Sequence, residues 1–164
     1  MTLIRALDPD ADAAAVRQLF DRAADYLDLE TGEGPSDAHV ADFFASAPFV
    51  AGPADTLKLG LFSGDRLDAI ADLAFGFPEQ EDAFIGLLLI AADRRGHGLG
   101  HLFVDHIADV ARARHAPRLF VAVLEANPKA RAFWECEGFV QVLTLPPTQM
   151  GRRVHIRHRM ERRL

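Results

Sequence analysis

A nearly continuous apolar segment, AFIGLLLIAA (83–92), leads directly into a glycine-rich turn, DRRGHGLG (93–100). The residues after the turn have the apolar spacing of an amphipathic helix, at Leu99, Leu102, Phe103, Ile107 and Val110. A second apolar segment, RLFVAVLEA (118–126), follows. Strands without polar alternation are typical of sheets that are covered on both faces. The order therefore predicts a strand–helix–strand unit with two parallel strands in one sheet.

The N-terminal half predicts two helices followed by two strands. Asp12 is the expected N-cap of a first helix that continues to Leu27. Ser36 is the expected cap of a second, short helix that ends at Pro48. The segments LKLGLFS (57–63) and LDAIADLAFGF (67–77) flank the turn Gly64-Asp65-Arg66 and predict an antiparallel pair.

The C-terminal end predicts one short helix and two closing strands. Asn127-Pro128 is a typical helix start and Gly138 a typical residue just after a helix end. FVQVL (139–143) and RVHIRHRM (153–160) follow as strands, and the arginines of this end are expected to be solvated. The predicted order is β-α-α-β-β-β-α-β-α-β-β, an α+β fold with a mixed sheet, in a single domain over residues 1–164.

Charge and cysteine content narrow the classes of function. The net charge of −6 combines 17 acidic and 5 basic residues in positions 1–82 with 7 acidic and 13 basic residues in positions 83–164. This distribution is not that of a nucleic-acid-binding protein, and it suggests two ligands of opposite charge. The longest apolar run is too short to span a bilayer, so no membrane partner is expected. The single cysteine and the absence of a signal-peptide pattern make the cytoplasm the expected location.

The glycine-rich turn predicts an anion site, because backbone N–H groups converge there at the start of a helix. A P-loop would need a lysine after the last glycine, and none follows. A dinucleotide fingerprint would need glycine where His101 stands, and it would follow the first strand of the fold, whereas this strand lies in the middle of the chain. Arg95-x-x-Gly98-x-Gly100 instead matches the pattern (Q/R)-x-x-G-x-(G/A) of the GCN5-related N-acetyltransferases (GNAT).

The chain resembles this superfamily over nearly its whole length. LLLIAADRRGHGLG (87–100) is similar to the fourth strand and phosphate turn of the family, and LEANPKARAFWECEGF (124–139) to its fifth strand and following helix. The resemblance implies a mostly antiparallel mixed sheet flanked by helices, with the fourth and fifth strands splayed around acetyl-CoA. The residues that it assigns to the cofactor are Leu88, Ile90, Arg95, Gly96, His97, Gly98, Leu99, Gly100, Asn127, Phe133 and Trp134.

Two catalytic positions of the family carry unexpected residues. The tyrosine that protonates the leaving thiolate in many relatives is replaced by Trp134, whose indole N–H is a very weak acid. A glutamate that is a common base is replaced by Phe84. The candidate catalytic residues are then Asp72 as a base, Glu125 for acceptor binding, and Tyr26 beside several acids that could receive a cationic amine.

Three functions remain open on the sequence. The first is an acetyl-CoA-dependent N-acetyltransferase for a primary amine of a small cationic molecule, acting without the usual tyrosine. The second is an acyl-CoA-binding or regulatory domain with little catalysis. The third is a protein or peptide N-acetyltransferase. Cys136 is expected to be a packing residue, no metal is expected, and a homodimer is an open alternative because dimers are common in such folds.

Overall fold

Seven strands form one twisted sheet in the order β1-β2-β3-β4-β5-β7-β6. A computed structural model describes residues 1–46 and 55–164. The strands are β1 (Thr2–Ala6), β2 (Thr56–Ser63), β3 (Arg66–Phe75), β4 (Ala83–Ile90), β5 (Arg118–Leu124), β6 (Val140–Met150) and β7 (Arg153–Arg163). The helices are α1 (Ala13–Arg22), α2 (Ala24–Thr31), α3 (Asp37–Ala45), α4 (Leu99–Ala113) and α5 (Pro128–Cys136), with a 3-10 turn at Ala92–Arg94.

The sheet is mixed, as the sequence predicts. Only β4 and β5 pair in parallel, and every other neighbouring pair in the described part of the chain is antiparallel. The parallel pair is the one joined by the crossover helix α4, because a tight hairpin cannot connect parallel strands. The predicted α+β fold is confirmed.

Helices cover both faces of the sheet and define two cores. On one face, α4 and α5 pack on alternate residues of the central strands, including Leu73, Ile85, Val121 and Met160. On the other face, α1, α2 and α3 pack on Phe62, Leu67, Ile70 and Leu89. We call these the α4–α5 face and the α1–α3 face. Double-sided burial explains why β3 and β4 are apolar at nearly every position.

The first predicted helix is two helices in the structure. It breaks at Ala23, whose N–H donates to the carbonyl of Phe20 instead of the residue four positions earlier. The sequence prediction of one continuous helix was therefore wrong. The break was missed because neither proline nor glycine marks it. Asp12 is the N-cap residue of α1, but its carboxylate binds the guanidinium of Arg5, with both N···O distances 2.8 Å, rather than capping the helix.

The other predicted helix ends agree with the structure where it describes them. Ser36 caps α3 by accepting a hydrogen bond from the N–H of His39. Asn127 caps α5, and Gly138 follows its end with a φ of 88°. Pro48, the expected end of the second helix, lies outside the described residues. No helix among the described residues is long and apolar enough to cross a membrane.

Candidate active site

A gap opens in the sheet between β4 and β5. The two strands pair at only three positions, the last of which joins Ile85 to Val121. A register shift against β3 at the same level leaves Gly86 between the pairs Leu73–Ile85 and Asp72–Leu87. Such a bulge bends a strand and increases its twist, which carries the remainder of β4 away from β5. The separation of these two strands, which the family resemblance implied, is confirmed.

The gap leads into a cavity of about 810 Å³ that is lined by residues from both faces of the sheet. Residues 86–90 of β4 and 121–124 of β5 form its two long walls. Asp25, Tyr26 and Leu29 of α2 line it from the α1–α3 face. The turn before α4 and the first half of α5 line it from the α4–α5 face. This volume lies in the range of sites for small molecules and cofactors.

The glycine-rich turn supplies backbone donors at one end of the cavity. Gly96 and Gly98 both adopt left-handed conformations, with φ of 77° and 78°, and both line the cavity. Gly98 is the N-cap of α4, which is fifteen residues long. The first N–H groups of such a helix have no partner within it, and the helix dipole places positive potential there. The arrangement can bind a phosphate.

Two ion-pair clusters hold this turn in place. Arg95 donates from Nε to the carbonyl of Ile90 at 3.0 Å and pairs with Asp25 of α2. This pairing, led by its hydrogen bonds, lowers the pKa of the Asp25 carboxyl. Near the start of the turn, Arg94 lies 3.0 Å from the fully buried carboxylate of Asp68. The same carboxylate pairs with Arg22, which connects the turn to α1.

Burial and ion pairing act in opposite directions on Asp68. Burial works to raise the pKa of this carboxyl, but hydrogen bonds from Ser63 and Arg22 and the charges of Arg66 and Arg94 outweigh it, so the pKa lies below its usual range. Asp68 is therefore ionised at neutral pH. It acts as a buried anchor for the turn.

Aromatic side chains of α5 line the cavity from the α4–α5 face. Phe133 and Trp134 line the cavity and stack edge to face, with ring centroids 5.0 Å apart. Trp134 also packs edge to face on Phe139, and only 5% of its surface is exposed. Asn127 lines the cavity too, and its Oδ1 accepts a hydrogen bond from the N–H of Ala130 at 3.2 Å.

The structure brings most of the predicted cofactor residues together, with two exceptions. The cavity is lined by Leu88, Ile90, Arg95, Gly96, Gly98, Gly100, Asn127, Phe133 and Trp134. His97 is exposed and does not line it. The side chain of Leu99 is buried in the core of the α4–α5 face, since it is the first residue of the amphipathic stripe of α4.

Two of the three candidate catalytic residues lie outside the cavity wall. The Asp72 carboxylate on β3 is buried, lies 2.8 Å from Nζ of Lys58 and accepts a hydrogen bond from Ser46 at 2.8 Å. Glu125 follows β5 and hydrogen-bonds to His158 at 3.0 Å, next to a separate pocket of about 260 Å³. Only Tyr26 lines the main cavity.

Tyr26 reaches the cavity from the α1–α3 face as a half-buried side chain. Burial, followed by the charge of the nearby Glu30 carboxylate, raises its pKa well above the ordinary value for tyrosine. The phenol therefore stays protonated at neutral pH. It can donate a hydrogen bond but cannot serve as a base.

Three side chains form a polar cluster at the rim of the cavity. His101 hydrogen-bonds through Nδ1 to Glu137 at 3.1 Å, and Asp105 lies on its other side at 3.3 Å. Their candidate ligand atoms lie within 4.8 Å of one another. The hydrogen bond and charge of Glu137 raise the pKa of His101.

Two expectations about the C-terminal half were wrong. Cys136 is exposed rather than packed, because α5 buries Trp134 and turns Cys136 to the other side. The arginines of β7 are not all solvated: Nε of Arg157 and of Arg159 is buried. Their spacing of two on a strand was a signal that the sequence offered, since alternate residues share one face.

Comparison with known proteins agrees with this geometry. The model of the acetyltransferase (GNAT) family matches residues 29–139. No curated protein matches the chain in sequence. An acetyltransferase from Thermus thermophilus is 27% identical, with a TM-score of 0.83 over 100% of this chain and 97% of that one.

Two further solved structures share the fold at lower identity. The ribosomal-protein-S18-alanine N-acetyltransferase of Escherichia coli is 20% identical, with a TM-score of 0.72 over 99% of this chain and 94% of that one. The GNAT domain of S. lividans PAT is 21% identical, with a TM-score of 0.74 over 98% and 89%. The family match over residues 29–139 shows that this chain belongs to the GNAT acetyltransferase family, and the splayed strands and the glycine turn agree with it.

Proposed function

We propose that the protein is an acetyl-CoA-dependent N-acetyltransferase that acts on a primary amine. The observation that carries the proposal is the gap between β4 and β5, whose cavity is lined by the left-handed glycine turn and by Tyr26. A cofactor with a diphosphate and a long, narrow arm needs this combination of converging N–H groups and a slot through the sheet. The family implies acetyl-CoA as the cosubstrate.

The cavity residues fit such a cofactor. A side chain on Gly100 would collide with the ring of Phe133, so the absence of a Cβ keeps the wall open beside the phosphate turn. N–H groups of residues 96–100 would hold the diphosphate, and backbone groups of Leu88 and Ile90 would hold the amides of the arm. Asn127, at the start of α5, would bind the arm, with Phe133 and Trp134 as the apolar wall.

When bound, acetyl-CoA supplies a thioester whose carbonyl carbon forms the new C–N bond as its C–S bond breaks. The chain's own contribution is positioning and proton transfer. Trp134 does not protonate the leaving sulfur, since an indole N–H holds its proton too strongly. A free thiol has a reference pKa of about 8.5, so a thiolate can leave near neutral pH without a strong acid.

Asp72 is a buried carboxylate directly behind the gap. A Cβ atom on Gly86, which lines the cavity, would lie 2.9 Å from Oδ2 of Asp72. The ion pair with Nζ of Lys58 holds the carboxylate in this position. We assign Asp72 as the base, acting through water beside Gly86, and Tyr26 as a donor to the acceptor. Glu125 lies outside the main cavity and is assigned no step.

The acidic N-terminal half is weaker support for a cationic acceptor than the sequence alone indicated. Many of its carboxylates are held by cationic side chains of the same chain, at Asp12, Asp21, Asp25, Asp28, Asp68 and Asp72. Because Trp134 replaces the usual tyrosine acid, a second candidate is an acyl-CoA-binding domain with little transfer activity. The two functions share the cofactor site and differ in turnover.

Two measurements test the proposal. A thermal-shift titration with CoA should raise Tm, while NAD should not, because only a ligand that binds the folded state stabilises it. Thiol release from acetyl-CoA should then be followed with amino acids, polyamines, aminoglycosides and short peptides. Stabilisation by CoA with turnover of one amine class supports the transferase. Stabilisation without turnover supports the binding domain, and no effect of CoA contradicts both.

A further inference from the structure

Two arginines of β7 lie opposite residues of β5 that line the cavity, although they do not line it themselves. Met160 of β7 is buried in the α4–α5 core, so the alternation of the strand places Arg157 and Arg159 on the α1–α3 face. In the antiparallel pairing with β5, Arg157 is opposite Leu124 and Arg159 is opposite Ala122. Both of these partners line the cavity. Side chains at directly opposed positions are neighbours, about 5 Å apart at Cβ.

Neither arginine has a counter-ion among residues 1–46 and 55–164. Nε of each is buried without a hydrogen-bond partner there, and no carboxylate forms an ion pair with either. The segment 47–54, APFVAGPA, contains no aspartate or glutamate that could supply one. Arg118 on the neighbouring strand shows the usual arrangement, with two hydrogen bonds to Asp82.

The surroundings of Arg159 are aromatic rather than acidic. Its guanidinium carbon lies 5.3 Å from the ring centroid of Phe77 and 5.9 Å from that of Phe84. Burial, followed by the charge of Arg157, lowers its pKa. Two adjacent cations with buried donors are unfavourable unless an anion compensates them. Phe84 also lies two positions before Gly86, which lines the cavity.

We propose that Arg157 and Arg159 bind an acidic group of the acceptor, so that the acceptor is a primary amine that also carries a carboxylate or a phosphate. Guanidinium groups present paired donors that match the oxygens of either group. With the acid held on β7, the amine of a short acceptor points past Ala122 and Leu124 to the gap between β4 and β5. This inference rests on the proposed transferase function.

Matched pairs of amines test the inference. Initial rates of thiol release are measured with alanine and ethylamine, lysine and cadaverine, and phosphoethanolamine and ethanolamine. In at least one pair the acid-bearing member should have a kcat/KM about tenfold higher or more, as one charged hydrogen-bond set provides. Preference in the amino-acid pairs identifies a carboxylate, and preference in the third pair identifies a phosphate.

Variants connect the preference to these side chains. Arg159→Gln and Arg157→Gln should raise KM for the acid-bearing member much more than for its partner. Arg159→Lys keeps the charge and loses the planar fork, so it should retain only part of the preference. Arg163→Gln, at an exposed position of the same strand, is the matched control and should leave the preference intact.

Thermal shifts measure acceptor binding without turnover and give a second test of the inference. In the presence of CoA, the preferred acid-bearing amine should raise Tm of the native protein and not of the Arg159→Gln variant. Equal rates within all pairs would overturn the inference. It would also be overturned if the acid-bearing amine caused no increase in Tm, or an increase that the arginine variants retain. Failure of CoA itself to raise Tm would instead count against the proposed transferase function, so the two failures are separable.

Discussion

Gly100 lies against the ring of Phe133 so closely that a Cβ atom on Gly100 would be 2.9 Å from Cε2 of the ring and 3.1 Å from Cδ1 of Ile90. The contact joins the first turn of α4, the middle of α5 and the end of β4 at one point of the cavity wall. The width of the candidate cofactor slot therefore depends on a residue that has no side chain.

Replacing Gly100 with valine should push Phe133 into the slot. We expect Gly100→Val to lower the free energy of unfolding by about 1–3 kcal/mol, as overpacking does. The Tm increase caused by CoA should also be reduced or lost. Urea unfolding and a CoA thermal-shift titration measure the two effects. Adding Phe133→Ala should recover part of the stability in a double-mutant cycle, and strictly additive losses would contradict the direct contact.

The backbone of the glycine turn can be tested apart from packing. A Cβ at Gly98 would contact nothing within 4 Å, so Gly98→Ala changes only the strain at a φ of 78°. This strain should cost about 1–2 kcal/mol. Gly34→Ala is the control, because Gly34 also has open space around it but no left-handed φ. That variant should be neutral or more stable by about 0.5 kcal/mol. Equal effects of the two changes in urea unfolding would refute the strain argument.

Asp68 should contribute stability that depends on pH. Its folded pKa lies below its unfolded value, which is about 3.9, so the unfolded state binds more protons in the acid range. The contribution is therefore complete above about pH 5 and is lost as pH falls through the folded pKa. Asp68→Asn should lower the free energy of unfolding at pH 7 by on the order of 3 kcal/mol, since it leaves Arg22 and Arg94 without their buried partner.

Denaturant unfolding at several pH values measures this difference. The gap between the native protein and the Asp68→Asn variant should shrink on acidification. Asp109→Asn is the control, because 76% of that side chain is exposed and its pair with Arg112 lies on the surface of α4. A difference that stays constant from pH 7 to pH 3 would show that Asp68 acts through something other than its charge.

Trp134 should act as a wall and not as an acid. We expect Trp134→Phe to retain kcat within about tenfold, which corresponds to about 1.4 kcal/mol in the barrier, because the indole transfers no proton. Its stability should fall, since a buried ring stacked on Phe133 and Phe139 becomes smaller. Single-turnover rates and urea unfolding separate the two. A loss of kcat above about 100-fold with intact folding would assign the indole a direct role.

Much of the architecture could be predicted because it depends on local signals. Asn127-Pro128 and Gly138 define the ends of α5 through the hydrogen bonds that their own residue types make or cannot make. The stripe from Leu99 to Val110 defines α4, and the apolar segments 83–92 and 118–126 contain β4 and β5. The break at Ala23 has no such signal, so the N-terminal helix was predicted as one.

In the candidate site, too, only the features with local signals could be predicted from the sequence. The glycines of the turn were visible in the sequence because left-handed backbone and close approach both demand that residue type. The ion-pair partners of the charged side chains could not be predicted. Asp72 and Asp68 look alike on β3, yet one pairs with Lys58 behind the gap and the other anchors Arg22 and Arg94.

The sequence by itself determined the parallel pair, the glycine turn and the order of elements apart from the break at Ala23, since these follow from periodicity and backbone preference over a few residues. Only the tertiary structure decided which charges are compensated, because ion pairs join residues that are far apart in the chain, such as Arg95 and Asp25. It also showed that Arg157 and Arg159 lack a partner among the described residues. Their burial beside the cavity comes from the register of β5 on β7, which no local pattern specifies.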